Sequence, residues 1–186
     1  MKDGQAAGAM NYLFEMGLLK RAKRTGWWIA GVKDPETIAE HSFRTAIIGA
    51  MLAPLEGADP ARVGLLCLFR DTQETRTGDI PHIGLRYLTA TDNESVTADQ
   101  VADCPPDVAS MIQDVVAEYE RGETVEGIVA RDADKLECLI QAVEYREQGC
   151  GNVQQWIDNS RVKLKTASAI QFAEAALSGG TLEWLR

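Results

Sequence analysis

The stretch from Leu65 to Pro81 places an apolar helical segment directly beside a dense group of charges. The charged side chains that follow the apolar turn within this stretch include Arg70, Asp71, Glu74 and Asp79. Charged groups at the end of a buried segment lose hydration, which is unfavourable unless they pair with one another or with a ligand. The stretch therefore predicts a helical core with a binding or catalytic site at the end of one of its helices.

Apolar residues elsewhere recur three and four positions apart, which is the period of an amphipathic helix. They predict helices at about 10–19, 36–55, 61–75, 106–121, 124–148 and 160–177, with a further short one at 82–87. In the second of these, the predicted core face carries Ile38, Phe43, Ile47, Ala50 and Met51. Residues 1–9 are expected to be frayed, and the polar segment 89–103 is expected to be a loop with at most one helical turn. The prediction is a single all-α domain over residues 1–186, a bundle of six to seven helices.

Charge and cysteine usage restrict the classes of partner and compartment. The chain of 186 residues has a formal net charge of −9, which disfavours a broad nucleic-acid or anionic-membrane surface. Its four cysteines are scattered singly, and no apolar run approaches the ~20 residues of a membrane span. The start of the chain is polar and does not resemble a signal peptide. We therefore expect a cytoplasmic protein that contacts neither nucleic acid nor membrane.

Three side chains in three predicted helices are candidate metal ligands. His41 is followed about 30 residues later by Asp71, and a further acid, Asp132 or Asp134, lies in a third apolar helix. Metals that activate water bind neutral imidazole and carboxylate groups and keep coordination positions open. Each residue taken alone is more often a packed or solvated side chain. The helical period favours Asp132, which lies nearer the apolar stripe of its helix.

Four ordered sequence blocks resemble the HD-domain metal-dependent phosphohydrolases, in particular their small 5′-deoxynucleotidase-like branch. The resemblance covers roughly residues 18–147. The blocks are Lys20-Arg-Ala-Lys-Arg-Thr-Gly-Trp27, Pro35-Glu-Thr-Ile-Ala-Glu-His41, Asp71-Thr-Gln-Glu-Thr-Arg-Thr-Gly-Asp-Ile-Pro81 and Asp132-Ala-Asp-Lys-Leu-Glu137, the last followed by Ala142-x-Glu-Tyr145. The resemblance implies an HD-type helical domain that hydrolyses phosphate esters with the help of a divalent metal.

The resemblance also implies roles for individual residues. A metal ion such as Mn, Co or a similar one would be held by His41, Asp71 and Asp134, so the family pattern selects Asp134 over its neighbour two residues earlier. Glu74 and Asp79 match the acids that position or deprotonate the attacking water and assist the leaving group. The water would attack phosphorus in line and release nucleoside and phosphate.

The substrate side of the predicted site is basic and aromatic. By the same resemblance, Arg24 contacts the phosphate as a bidentate fork, and Trp27 or Trp28 lines the nucleoside. Arg70 is a second candidate phosphate ligand.

The sequence departs from the family pattern at Arg70, where the family has the histidine of its name. A guanidinium has no lone pair for a metal and stays cationic, and two unit charges ~4 Å apart repel by roughly 4 kcal/mol at an effective dielectric of about 20. Arg70 could replace the metal by pairing with Asp71 and Asp134. It could instead swing outward and leave a weak metal site, with His82 as a candidate source of the missing imidazole. It could also be a sporadic substitution in an ordinary phosphohydrolase.

The expected function is metal-dependent removal of phosphate from (deoxy)nucleoside 5′-monophosphates, with activity that Arg70 impairs. One alternative is a deoxynucleoside triphosphohydrolase, since related HD proteins cleave triphosphates. Another is a catalytically weak pseudoenzyme that binds a nucleotide or another small phosphate ester. Small HD nucleotidases often form homodimers, so the resemblance also predicts a homodimer.

Overall fold

Helices dominate residues 4–88 and 91–185, the part of the chain that this computed structural model describes. The α-helices are α1 (Gln5–Met16), α2 (Gly26–Ala30), α3 (Ile38–Leu52), α4 (Pro60–Phe69), α5 (Glu74–Thr77), α6 (Asn93–Gln100), α7 (Pro106–Arg121), α8 (Val125–Glu147), α9 (Gln154–Arg161) and α10 (Ala167–Ser178). Short 3₁₀ turns lie at Gly17–Lys20, Ala53–Leu55, Gly84–Arg86, Gly151–Val153 and Glu183–Leu185. Among the described residues the β-type pairing is a single isolated bridge between Lys23 and Thr37. The all-α prediction is confirmed, although the expected six to seven helices were too few.

Two predicted helices are each divided in the structure. The helix expected at 61–75 ends at Phe69, and α5 begins separately after a turn. The range expected to be one helix at 160–177 contains only the end of α9 and most of α10, with a turn at residues 162–166 between them in which Val162 is exposed. Helix α10 starts there because the Thr166 side chain caps it by accepting from the backbone N–H of Ala169 at 3.4 Å.

The polar segment 89–103 was wrongly predicted to be a loop. Residues 89 and 90 lie outside the described residues, but α6 occupies eight of those that follow. The Asp92 carboxylate begins this helix by accepting from the N–H of Ser95 at 2.8 Å, and Val96 and Thr97 are buried. At the other end of the chain, α1 begins at Gln5, so most of the segment expected to be frayed is helical, while residues 1–3 lie outside the described part.

Helix α8 is the axis of the fold and contacts α3, α4, α7, α9 and α10. It begins where the Thr124 side chain accepts from the N–H of Gly127 at 3.0 Å. Buried side chains point from it in most directions, which is expected for a helix surrounded by others. Polar residues on α8 are therefore held deep inside the molecule.

Helix α3 turns a different face to the core from the one its apolar residues predicted. The exposed fractions of Phe43, Ile47 and Met51 are 65%, 45% and 54%, whereas His41 and Thr45 are fully buried. The inward face also carries Ile38, Ser42, Ile48, Gly49 and Leu52. The polar His41 and Ser42 can lie inside because each has an internal hydrogen-bond partner. This places His41 opposite α8.

No helix within the described residues is both long and apolar enough to cross a membrane.

Candidate active site

The segment that carries Arg24 is fastened at both ends by backbone hydrogen bonds. The Arg24 N–H donates to the carbonyl of Glu36, and the N–H of Ile38 donates to the carbonyl of Ala22, at 3.0 and 2.9 Å. Thr25 then binds Asp79: its backbone N–H donates to the carboxylate, and its hydroxyl donates to the same carboxylate at 2.9 Å. The predicted phosphate-binding arginine is thus tied to one of the predicted catalytic acids.

His41 is oriented by a carboxylate on α8. Its Nδ1–H donates to Glu137, which in turn accepts from Arg44 at 2.8 and 3.0 Å. Arg44 also binds Gln141 and Glu144, both one or two turns further along α8. This network fixes the proton on Nδ1 and leaves the lone pair of Nε2 facing the centre of the site.

The guanidinium of Arg70 fills that centre. Its Nη1 donates to His41 Nε2 at 2.9 Å and also to the Asp71 carboxylate. Its Nη2 lies 2.9 Å from Oδ1 of Asp134, and its Nε–H donates to the Tyr119 hydroxyl at 2.9 Å. Arg70 therefore contacts all three predicted metal ligands as well as an aromatic residue of α7.

A second cationic group and a protonated acid lie around Arg70. The Arg24 Nη1 atom is 4.0 Å from Asp71 Oδ2 and 3.9 Å from Asp79 Oδ1, which are ion-pair rather than hydrogen-bond distances. Burial, together with the Asp71 and Asp79 carboxylates, raises the pKa of Glu74 to about 9. Glu74 therefore carries a proton at neutral pH, and its buried Oε2 has no hydrogen-bond partner among the described residues.

The Asp134 carboxylate is held in its charged form by neighbouring cations. Burial on its own would raise the pKa of Asp134, but Arg70 and Lys135 outweigh burial and hold that pKa well below its usual range. Lys135 also binds the second oxygen of the Asp134 carboxylate. Asp134 is consequently a permanent anion beside the Arg70 guanidinium.

A cleft of about 420 Å³ opens beside this cluster. Arg70, Asp71 and Glu74 line its inner side. The remaining lining residues come from the segments around α5 and α6 and from α7: Gln73, Thr77, Gly78, Ile80, Leu85, Thr91, Asp92, Asn93, Glu94 and Glu120. The cleft can admit a small ligand that has an anionic end at Arg70 and an apolar portion at Ile80 and Leu85.

Two of the predicted residues lie elsewhere. Trp27 was expected to be able to line a nucleoside, but it is 2% exposed because it packs against Tyr145 and Trp156, with ring centroids at 5.1 and 5.7 Å. Its indole N–H donates to Glu36 at 2.9 Å, so Trp27 is a core residue. Trp28 is about half exposed and is not among the residues that line the cleft.

Asp132 and His82, the two residues weighed as alternatives, do not join the cluster. The Asp132 carboxylate accepts from the backbone N–H groups of Lys165 and Thr166, at 3.0 and 2.6 Å, and so supports the start of α10. His82 is exposed, and within the described residues no contact joins it to His41, Asp71 or Asp134. Of the two aspartates on α8, it is Asp134 that the fold brings to His41.

The cluster does not fit a divalent ion at the position that the HD pattern implies. The Nε2 of His41 and one oxygen each of Asp71 and Asp134 are the atoms that would coordinate it, and each is already within contact distance of Arg70. A cation at that point would also meet the positive charge of the guanidinium. Of the arrangements considered from the sequence, the structure shows the one in which Arg70 pairs with Asp71 and Asp134. The outward swing of Arg70 is not what the structure shows.

A different set of donors lies close enough together to share an ion. Ligand atoms of Glu36, His41 and Glu137 are within 4.8 Å of one another. Glu137, however, is already bound by His41 and Arg44, and Glu36 accepts from the indole of Trp27. Glu137 is therefore a hydrogen-bonded support for His41, and Glu36 is a hydrogen-bond partner of Trp27.

Sequence reasoning missed the side chains that hold the cluster in place. Glu137 and Arg44 each lie three positions after a predicted ligand, on the same helix face as Asp134 and His41 respectively, and this spacing could have identified them. Tyr119 carries no such signal, because it reaches Arg70 from a helix far away in sequence.

The sequence of this chain is similar to those of known proteins. The sequence profile described as "HD domain" matches residues 16–174. The chain is 28% identical over 173 residues to the mouse protein named 5′-deoxynucleotidase HDDC2, covering 91% of this chain and 86% of the relative. Identity to the Dictyostelium discoideum protein of the same name is 31% over 141 residues, covering 71% and 74%.

A solved structure supports the same grouping. A conserved hypothetical protein from Pyrococcus furiosus superposes with a TM-score of 0.75 at 29% sequence identity, covering 90% of this chain and 98% of that protein. Because the family profile spans most of the sequence, this chain belongs to the HD domain family.

Proposed function

We propose that this protein is a phosphoric monoester hydrolase that removes phosphate from (deoxy)nucleoside 5′-monophosphates, with a turnover that Arg70 lowers. The observation that carries the proposal is the packing of His41 against Asp134 and Asp71, at 3.2 and 3.7 Å, directly behind the 420 Å³ cleft that Asp71 and Glu74 line. The names of the mouse and Dictyostelium relatives support the choice of a nucleotide substrate.

The side chains can bind the two ends of such a substrate. Arg24 pairs with its acidic neighbours only at 3.9 Å and beyond, so its N–H groups can still donate to phosphate oxygens. Its ion-pair neighbour Asp71 lines the cleft, as do the apolar side chains of Ile80 and Leu85, which suit a sugar or base. A monophosphate with one nucleoside would place its charge near Arg24 and its uncharged part against these residues.

Glu74 is the residue that we assign to proton transfer. As a water molecule attacks the phosphorus and the bond to the 5′-oxygen breaks, the protonated carboxyl of Glu74, beside Asp71, can donate its proton to that leaving oxygen, while the proton of the attacking water passes to the released phosphate. Asp79 holds the Arg24 segment through Thr25 and so positions the phosphate-binding group. In this assignment one acid transfers a proton, and the other keeps the substrate in place.

The test is release of inorganic phosphate from deoxynucleoside and ribonucleoside 5′-monophosphates by the purified chain. Glu74→Gln and Arg24→Ala should each abolish release while the far-ultraviolet circular dichroism stays helical. Glu174→Gln is the matched control, since Glu174 is an exposed acid of α10 that pairs with Arg161. Equal rates for Glu74→Gln and Glu174→Gln would refute the assignment.

Two alternative functions can be distinguished from the proposed one by their products or by the lack of any product. A deoxynucleoside triphosphohydrolase would release tripolyphosphate rather than inorganic phosphate, and chromatography of the products separates the two. A pseudoenzyme is favoured by one observation, the Arg70 guanidinium among the predicted metal ligands. It would be stabilised against heat by a nucleoside monophosphate without consuming it.

We further propose that the protein works in the cytoplasm as a homodimer. Its four cysteines are free, as expected in a reducing compartment. An exposed apolar row on α3 offers a surface for the second copy.

A further inference from the structure

The position of Arg70 is specified by contacts from three sides of the site. Its guanidinium meets His41 on α3, Asp134 on α8 and Tyr119 on α7, while Asp71 follows it in the chain. The side chain is 10% exposed, and its Cζ lies 5.5 Å from the centre of the Tyr119 ring. Each of the three guanidinium nitrogens of Arg70 therefore has an acceptor, which is the arrangement expected of a site built around an arginine.

The contacts of Arg70 use the same atoms that a metal would need. The lone pair of His41 Nε2 accepts from Nη1, because the other ring nitrogen donates its proton to Glu137. Oxygens of Asp71 and Asp134 take the remaining contacts. A metal could bind these three side chains only after the guanidinium had left.

The charges of the cluster are balanced with Arg70 in place. Three cationic groups, Arg24, Arg70 and Lys135, contact three carboxylates, Asp71, Asp79 and Asp134. A divalent ion that took the place of the guanidinium would therefore leave one uncompensated positive charge in the site.

We propose that Arg70 is the resident cation of this site: its guanidinium takes the place of a divalent metal ion and excludes it, so that the folded chain requires no metal. The inference goes beyond the proposed function, because it concerns the cation and not the substrate. Metal binding can be measured whether or not the chain hydrolyses any phosphate ester, so failure of one does not imply failure of the other.

The test compares Mn²⁺ binding by the wild-type chain, Arg70→His and Arg70→Met, using isothermal titration calorimetry and thermal melting in Mn²⁺ or in EDTA. The histidine variant restores a ligand and removes the charge. The methionine variant only removes the charge, so it separates the two effects. We expect no stoichiometric binding by the wild-type chain and one ion per chain for Arg70→His, with an affinity about 100-fold or more above that of the wild type. The affinity of Arg70→Met for Mn²⁺ should lie between that of the wild type and that of Arg70→His.

Melting supplies a second readout that needs no titration. The wild-type melting temperature should be the same in Mn²⁺ and EDTA, whereas both variants should melt lower in EDTA and recover in Mn²⁺. One Mn²⁺ bound per wild-type chain as tightly as by Arg70→His would overturn the proposal. So would failure of both folded variants to bind the ion. If Arg70→His does not fold, the proposal is still tested by whether the wild-type chain fails to bind Mn²⁺ and Arg70→Met binds it.

Discussion

At the scale of single residues, Asp132 and Asp134 show how two neighbouring acids on one helix acquire unrelated roles. Asp132 is 1% exposed and accepts from the Thr166 hydroxyl at 2.7 Å, in addition to two backbone N–H groups. Asp134 instead binds Arg70 and lies 3.2 Å from His41. Residues two positions apart on a helix do not share a face, so only one of the pair can reach α3.

We expect a double-mutant cycle to separate these roles. Asp132→Asn should lower the free energy of unfolding by about 1–3 kcal/mol, because N–H groups at the start of α10 lose a charged acceptor. The changes in unfolding free energy caused by Asp132→Asn and by Arg70→Met should add in the double variant to within about 0.5 kcal/mol, since the two residues share no partner. Asp134→Asn combined with Arg70→Met should deviate from additivity by about 0.5–3 kcal/mol. Urea denaturation gives all of these values, and additivity in both cycles would contradict the contact between Asp134 and Arg70.

The residues of the site could be predicted only where a local pattern points to them. His41 and Asp71 were candidates because a lone histidine is followed about 30 residues later by an acid at the end of an apolar helix. The family resemblance supplied the role of Glu74 and the choice of Asp134, whereas helical spacing favoured Asp132, the aspartate of α8 that does not reach His41. The inward orientation of Arg70 depends on the Tyr119 hydroxyl, which approaches from a distant helix. Such contacts depend on how helices pack, and one segment of sequence does not encode that.

At the scale of elements, α3 and α4 approach each other closely at Gly49. A Cβ atom added to Gly49 would lie 2.8 Å from both Cys67 Sγ and Val63 Cγ1. Gly64, on α4 itself, has no heavy atom within 4 Å of the same position. One glycine therefore permits the helix crossing that places His41 beside Asp71, and the other is replaceable.

Alanine substitutions at these two glycines should have opposite effects. Gly49→Ala should lower the free energy of unfolding by about 1–3 kcal/mol, because the methyl group displaces packed side chains. Gly64→Ala should raise it by up to about 1 kcal/mol through improved helix propensity. Urea denaturation of the two variants and the wild type provides the measurement. If Gly49→Ala left the free energy of unfolding unchanged, α3 and α4 would have to be able to move apart without loss of stability, contrary to this prediction.

Helix α1 is joined to the site region through the Glu15 carboxylate. Glu15 accepts from Arg76 and Thr75 on α5, at 2.8 and 2.7 Å, and from Gln100 on α6 at 3.0 Å. These bonds, above all the one from Arg76, lower the pKa of Glu15 from 4.5 to about 2. A depressed pKa means that the folded state favours the ionised carboxylate.

Stability should therefore depend on Glu15 in acid. Its contribution is complete above pH 4.5 and is lost as the pH falls towards about 2, because the unfolded chain takes up the proton first. The difference in unfolding free energy between wild type and Glu15→Gln should be up to about 1 kcal/mol at neutral pH and should shrink over this range. Glu174→Gln, which removes an acid from an exposed pair, serves as the control. A difference that stayed constant from neutral pH to pH 2 would contradict the assignment.

At the scale of the whole molecule, the helical class was predictable, whereas the number of helices was not. Apolar periodicity indicated every long helix, and 106–121 and 124–148 were correct to within one residue at each end. The errors arose where a short polar sequence both ends and restarts a helix, as at Phe69–Glu74 and around Thr166. Around Thr166 a side-chain cap restarts the helix, and a residue that supports the start can lie far along the chain, as Asp132 does for α10.

The exposed row of Phe43, Ile47 and Met51 on α3 leads to a prediction about assembly. These residues recur every four positions and face away from the core, so a second copy could cover them. We expect a homodimer in solution, and Phe43→Glu with Ile47→Glu should convert it to a folded monomer. Light scattering coupled to size-exclusion chromatography measures both masses. A wild-type monomer, or a variant that remains dimeric, would exclude this face.

The Tyr119–Arg70 hydrogen bond has a consequence for how this protein would respond to metal concentration. When a binding-competent state is rarely populated, the apparent affinity is the intrinsic affinity multiplied by the fraction of competent molecules. If the guanidinium leaves its place in ~1% of molecules, metal binding is weakened about 100-fold. Tyr119→Phe would raise that fraction by removing an acceptor of Arg70, and a Mn²⁺ titration would detect the tighter binding. Sensitivity to metal would then be set by a residue of α7 that could never coordinate the ion itself.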